Sequence, residues 1–451
     1  MTFFGENGVK SRTNFFLIVI LFYLVGPTTY RFANAYLADI LFALFFLYAL
    51  MTGTKLRLTH RVSLVFLVPF VIVLGSNIGK YWSDFPLGVD EFANTVKSLQ
   101  LFVLVSFSSA IFDPRMNEDY FNSTLKKFSL IISCAVIYNG LIGIFQYFEV
   151  GVINKFLETF YYIELDLVEG IEGVSNVDVM SVENRITGVF ESWNGIGFFL
   201  TQTLFLLLLI YRERKSILIV PAIGIGFLAL VLAGSRAAII GFIIAWTLYS
   251  LYITRSKKTL LVILFVFFVS VPAIVLMKEM EILPEENVQR FVEIYDFIVS
   301  GEVPATLAFR LDTWSWMPQH IISSPYFLFG YPNEVWKSSI YFWGADSQYV
   351  AWLLVYGLFG LTLFVMWSLI VIYVFRKEYL VFKTAIGNSV VTRLYGALVV
   401  IFFTYLFIGI SQDSMLSNRW RELLLSFIGF VMSWGIHSQR SGHSKNLPPD
   451  V

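Results

Sequence analysis

The sequence predicts an all-α polytopic integral membrane protein: a single membrane domain over 1–451 with about 12 transmembrane helices, both termini cytoplasmic, and two long external loops carrying short amphipathic helices. Three observations carry this expectation. Hydrophobic residues make up 57% of the chain, and mean hydropathy is +0.71. Charged residues fall to 14%, against about 25% in an ordinary globular domain. Lys and Arg gather in alternate connections between the apolar runs, the pattern that places those connections on the cytoplasmic side.

Taken in order, apolar runs long enough to cross a hydrocarbon layer of ~30 Å begin near Phe15, Tyr36, Val62, Asn94, Phe128, Gly195, Ile217, Ala237, Thr259, Ser347, Leu394 and Glu422. The first follows a short basic segment, but no small-residue cleavage site follows before Pro27 and Tyr30, so it reads as an uncleaved span. The basic connections are Lys10/Arg12, Lys55/Arg57/Arg61, Arg115/Lys126/Lys127, Arg212/Arg214/Lys215, Arg255/Lys257/Lys258, Arg376/Lys377/Lys383/Arg393 and Arg440/Lys445. The polar tail 438–451 then lies in the cytoplasm. The tenth run is apolar over 349–375, roughly 40 Å as a helix at ~1.5 Å per residue, and overshoots the membrane unless it tilts. Net charge is zero, which gives no bulk field for nucleic acid. Cys134 is the single cysteine and falls inside the fifth run, which excludes an external domain held by disulfides.

Two outward connections are long, 150–194 and 278–346. In the first, Ile153, Phe156, Leu157, Phe160 and Tyr161 recur at helical spacing and form an apolar stripe, and the acidic tract from Glu164 to Glu183 reads as irregular loop. In the second, Val288, Phe291, Val292 and Tyr295 repeat the stripe. After Pro304 a new helix starts near Thr306 and sets Arg310 and Trp314 on one face, with Met317 following.

Arg236 is the sharpest anomaly, because it interrupts two apolar runs on the outward side and no carboxylate lies between Glu213 and Glu279. A guanidinium cannot shed its proton and is costly to leave unpaired, so its partner comes from a distant segment or from a ligand. The plainer alternatives are a cap on the preceding helix's carbonyl end or a cation reaching the headgroups. Arg310 reads either as an exposed loop cation paired with Asp312 or as a ligand residue. Arg185 has Glu183 and Glu191 as ordinary surface partners. Asp346 reads as a helix cap or, if partly desolvated, as a base. Asp90 and Glu91 read as solvated loop residues. His320 is the single outward histidine and no Asp-x-Asp pair occurs, so no metal site is expected.

Three blocks, spread over roughly 180–375, resemble the bacterial O-antigen ligase and polymerase superfamily of membrane proteins. They are Arg185-x-x-Gly188 followed by Trp193-Asn194-Gly195; Gly234-Ser235-Arg236-Ala237-Ala238; and Arg310 through Trp314, Pro325 and Gly330 to Asp346-Ser347-Gln348-Tyr349 and Tyr356-Gly357-Leu358-Phe359-Gly360. The resemblance implies an enzyme of the bacterial inner membrane that joins undecaprenyl-diphosphate-linked glycans without cofactor or metal. It implies Arg236 and Arg310 as ligands of the donor diphosphate and stabilisers of the leaving group, with Arg185, Asn194, Trp314 and Tyr349 around the substrate and Asp346 as the base. Membrane lipids, a chain-length regulator and a flippase are the further partners it implies. Ligases of the superfamily carry a His-Asn pair where this chain has Asp346-Ser347, which favours a polymerase over a ligase. A lipid-linked oligosaccharide transporter is the rival from another class, but it would show repeated halves and polar residues near the midplane, which this sequence lacks.

Overall fold

The computed structural model describes residues 6–27, 31–32, 35–54, 56, 60–83, 85, 87–112, 118–161, 186–190, 193–213, 216–255, 289, 292–293, 300–332, 347–387, 389–409 and 418–440. These residues are helical almost throughout, as expected. The exception is a two-residue antiparallel ladder, Arg31 opposite Tyr36 and Phe32 opposite Ala35. The helices are α1 (Glu6–Val25), α2 (Leu37–Met51), α3 (Arg61–Val65), α4 (Val68–Trp82), α5 (Val89–Ile111), α6 (Glu118–Tyr147), α7 (Gly151–Tyr161), α8 (Trp193–Glu213), α9 (Ile219–Leu232), α10 (Arg236–Leu248), α11 (Ala305–Ile322), α12 (Gln348–Ile386), α13 (Val390–Ile408) and α14 (Asn418–Arg440). A single π-helical turn, Tyr249–Thr254, extends α10.

Among the described residues, six stretches are long and apolar enough to cross a membrane: Arg61–Trp82, Asp119–Tyr147, Asn194–Tyr211, Arg236–Thr254, Gln348–Thr384 and Val390–Ile408. Helices α2 and α9 are apolar but shorter. Helix α5 has the length, but Asp90, Glu91, Asn94, Lys97 and Gln100 crowd its first half. The ninth apolar run, from Thr259, lies outside the described residues, as does the acidic tract of the first long loop.

The chain forms two compact units, one of residues 1–13, 48–117 and 305–451, the other of 14–47 and 118–304. In the second unit α9 packs on α6 and α8, and α8 on α10. Gly140 of α6 lies against Ile225, and Gly226 against Val136, so the absent side chains let these two helices approach closely. The amphipathic helix expected from the stripe at 153–161 is α7. Its Leu157 and Tyr161 are buried while Val152 is exposed, and the Tyr161 hydroxyl reaches the Val25 carbonyl and the Tyr138 hydroxyl.

In the first unit α14 packs along α5, and α12 lies between α4 and α13. His60 caps α3 by accepting the Val62 N–H, and Arg61 of that turn pairs with the buried Glu378 of α12. Glu91 departs from its expected solvated state: it is 4% exposed, and its carboxylate accepts the Gly88 N–H at 2.9 Å while its carbonyl accepts from Asn77. The reason is capping. An acid at the third position of a helix is drawn back onto the free N–H groups of the first turn. One turn of α4 away, Lys80 is 1% exposed, with Glu91 as the opposite charge acting on it.

The long tenth run forms α12, which contains a break. Gly357 has φ 68° and ψ −171°, a conformation in effect reserved for glycine, and interrupts the helix. The loop after α11 fills the gap: Tyr331 N–H donates to the Leu354 carbonyl (2.7 Å), and the N–H groups of Leu358 and Phe359 donate to the carbonyls of Phe327 (2.8 Å) and Leu328 (3.1 Å). Ser76 of α4 donates to the Phe329 carbonyl at 2.6 Å. Irregular backbone inside an apolar span persists where protein satisfies its polar groups, as the loop does here.

Candidate functional site

In the unit of 14–47 and 118–304, the first two sequence blocks meet at the N-termini of α8 and α10. Ser235 and Arg236 open α10 after Gly234, whose φ of 60° turns the chain sharply out of α9. Ser235 donates its hydroxyl to the Asn194 side-chain oxygen at 3.2 Å. One turn along α8, Gly197 leaves room for Ser235 and Ala238, and Thr201 donates to the Ala238 carbonyl at 2.8 Å. Three successive turns of α8 thereby fix where Arg236 stands.

Arg236 is the first helical residue of α10, so its cation sits where the helix dipole is already positive and needs compensation. Glu293, from the second long loop, supplies it: Glu293 Oε2 lies 2.6 Å from Arg236 Nη2, with the side chains 28% and 21% exposed. The distant partner expected for this guanidinium is therefore an acid of the chain.

Just before α8, residues 186–190 form a buried turn held by Gln146 near the end of α6. The Gln146 side-chain oxygen accepts the N–H groups of Thr187 (3.1 Å) and Gly188 (2.9 Å), and its amide donates to the Thr187 hydroxyl (3.2 Å). Gly188 has φ 57° and packs against Ile196, which explains the glycine of the first block. Arg185 itself lies outside the described residues, and so does Asp346.

The third block lies in the other unit. Helix α11 starts at Ala305, as the sequence indicated, and carries Arg310 at a helical position. Met317 and Ile321 bury its lower face against Tyr331, Val350, Leu353 and Leu354, with Trp314 packed beside them. The Trp314 indole N–H is buried and makes no hydrogen bond among the described residues. Tyr349, expected near substrate, donates its hydroxyl to the Leu406 carbonyl at 2.9 Å, and the Gln348 N–H donates to the Gly409 carbonyl at 2.8 Å. These two bonds tie the start of α12 to the end of α13. Asn194 and Arg236 belong to one unit, and Arg310, Trp314 and Tyr349 to the other.

Residues 221–365 match the family described as O-antigen ligase, a range that holds Arg236, Arg310, Trp314, Asp346, Tyr349 and Gly357. That match supports the likeness of the sequence blocks to the O-antigen ligase/polymerase superfamily. No curated protein matches the chain. The superfamily is one of membrane glycosyl transfer, and its matched range begins inside α9 and ends in α12, past the Gly357 break.

Three buried or paired positions escaped the sequence. Gln146 was hidden because its bonds go to the backbone of a turn remote in sequence, although a glutamine near the end of an apolar run is a signal in itself. Glu293 was one acid among several in a long polar loop. Lys80 is distinguished only by its burial.

Proposed function

We propose that this chain polymerises undecaprenyl-diphosphate-linked oligosaccharide repeat units into a surface polysaccharide at the outer face of the bacterial inner membrane, as a bundle of about twelve crossings with inward termini. The observation that carries the reading is Arg236: a guanidinium inside the superfamily range, fixed by the Asn194 and Ser235 contact, partly exposed and already engaged with a carboxylate. A group that holds one anion in such a place is suited to hold another.

In the proposed reaction an acceptor sugar hydroxyl attacks the anomeric carbon of the donor. The bond from that carbon to the diphosphate oxygen breaks, its electron pair stays on the diphosphate, and the hydroxyl proton passes to Asp346. A single displacement of this kind inverts the anomeric centre. Arg236 and Arg310 stabilise the charge that builds on the leaving oxygen, since guanidiniums meet phosphate in bidentate fashion. Arg185, Asn194 and Trp314 then shape the substrate site. No metal or cofactor enters the scheme, and a chain-length regulator and a flippase are its expected partners.

The test is the glycan profile of a strain lacking the gene. Lipid cores capped with a single repeat unit, restored to a ladder by the wild-type chain, support polymerisation. Complete loss of capped cores would instead assign ligation, and accumulation of the lipid-linked unit on the inner face would assign transport.

A further inference from the structure

We infer that Glu293 is a displaceable counter-ion that occupies the Arg236 subsite between turnovers and sets how tightly the donor diphosphate is held. This rests on the reading of Arg236 as a diphosphate ligand. The contact is short, 2.6 Å, yet among the described residues Glu293 Oε2 accepts no hydrogen bond, so the two groups meet as charges without the alignment of a guanidinium fork. Among the described residues Arg236 is the sole ion-pair partner of Glu293, and both side chains keep part of their surface in contact with solvent. The carboxylate is thus held by one misaligned charge and has water to return to.

A diphosphate offers the guanidinium more charge and more acceptor oxygens than a carboxylate does, and both N–H pairs can be satisfied at once. It displaces Glu293, which swings outward. After transfer the lipid diphosphate faces the same competition in reverse, and the returning carboxylate assists its release. A base for the acceptor hydroxyl would belong across the anomeric carbon from the leaving group, so contact with the leaving-group ligand argues against Glu293 in that role.

Wild type, Glu293→Gln and Arg236→Ala are purified in nanodiscs of neutral lipid, and binding of undecaprenyl diphosphate is measured beside inorganic pyrophosphate and undecaprenol. The expected result is that Glu293→Gln tightens undecaprenyl diphosphate by roughly fivefold, the scale of a partly exposed ion pair. Pyrophosphate tightens in parallel if the anion alone is read, and stays unchanged if the lipid is also required. Undecaprenol is unaffected. In turnover, KM for the donor falls and kcat falls with it as release slows. Unchanged or weaker binding by Glu293→Gln overturns the inference, as does loss of kcat at constant KM, which would make Glu293 a base or a fixed support. Should Glu293→Gln fail to fold, Glu293→Asp, which retracts the charge by one methylene, is read by the same two outcomes. If Arg236→Ala binds as tightly as wild type, the diphosphate reading of Arg236 falls. If Arg236→Ala loses binding while Glu293→Gln is unchanged, only the counter-ion role falls.

Discussion

Tyr331 donates its backbone N–H to the Leu354 carbonyl at 2.7 Å, across the break that Gly357 opens in α12. The loop and the broken helix complete each other. Gly330 lies against the backbone of Val355, Gly357 against that of Leu328, and both have positive φ.

The first prediction concerns this joint. Gly357→Ala places a methyl group against the Leu328 carbonyl in a conformation that alone costs about 1–3 kcal/mol. The expected total loss is about 4 kcal/mol, because the displaced loop also leaves the N–H groups of Leu358 and Phe359 without acceptors. Unfolding in mild detergent measures it, and a variant as stable as wild type would show that the loop does not seal the gap.

A second prediction concerns Lys80 and Glu91. Both groups are buried with opposite charges, and removing one leaves the other uncompensated, so Lys80→Met should cost about 3 kcal/mol if the two charges sense each other. Glu91→Gln keeps an acceptor for the Gly88 N–H, and adding it to Lys80→Met should recover most of the loss. A double-mutant cycle reads the coupling, and additive losses would mean that the two charges do not sense each other.

Helix positions were legible because apolar runs and their polar punctuation are local. Every run except that from Thr259 coincides with a described helix, and the short amphipathic helix at 151–161 was visible as a stripe. The break at Gly357 was not, since an apolar run looks the same whether straight or interrupted. Of the candidate site, the sequence offered residues but not contacts. Arg236 announced itself by its charge, while Glu293 could be assigned to it only once the chain had folded. Glu91 misled because a capping acid and a solvated acid have the same local sequence.

A third prediction follows from Gln146. Gln146→Leu keeps the volume but leaves the buried N–H groups of Thr187 and Gly188 without an acceptor, at about 1–3 kcal/mol each. Hydrogen exchange at those two amides should quicken strongly, with little change in α12. If exchange there is unaltered, the turn after Arg185 is held by its apolar residues Ile186, Val189 and Phe190 alone.

The final prediction separates charge from shape at Arg236. Arg236→Lys preserves the cation but loses the planar fork, and Arg236→Ala loses both. Because the pair with Glu293 is partly exposed, neither change should cost more than about 1 kcal/mol of stability. Activity should separate from stability. For a diphosphate ligand Arg236→Lys raises donor KM by about tenfold and Arg236→Ala abolishes measurable polymer, the difference expected when a bidentate contact to phosphate becomes a single one and then none. Glycan ladders from strains carrying each variant, with membrane levels of the protein matched, give the comparison. Full-length ladders from Arg236→Ala would show that the guanidinium serves the fold of α10 and not the transfer of sugar.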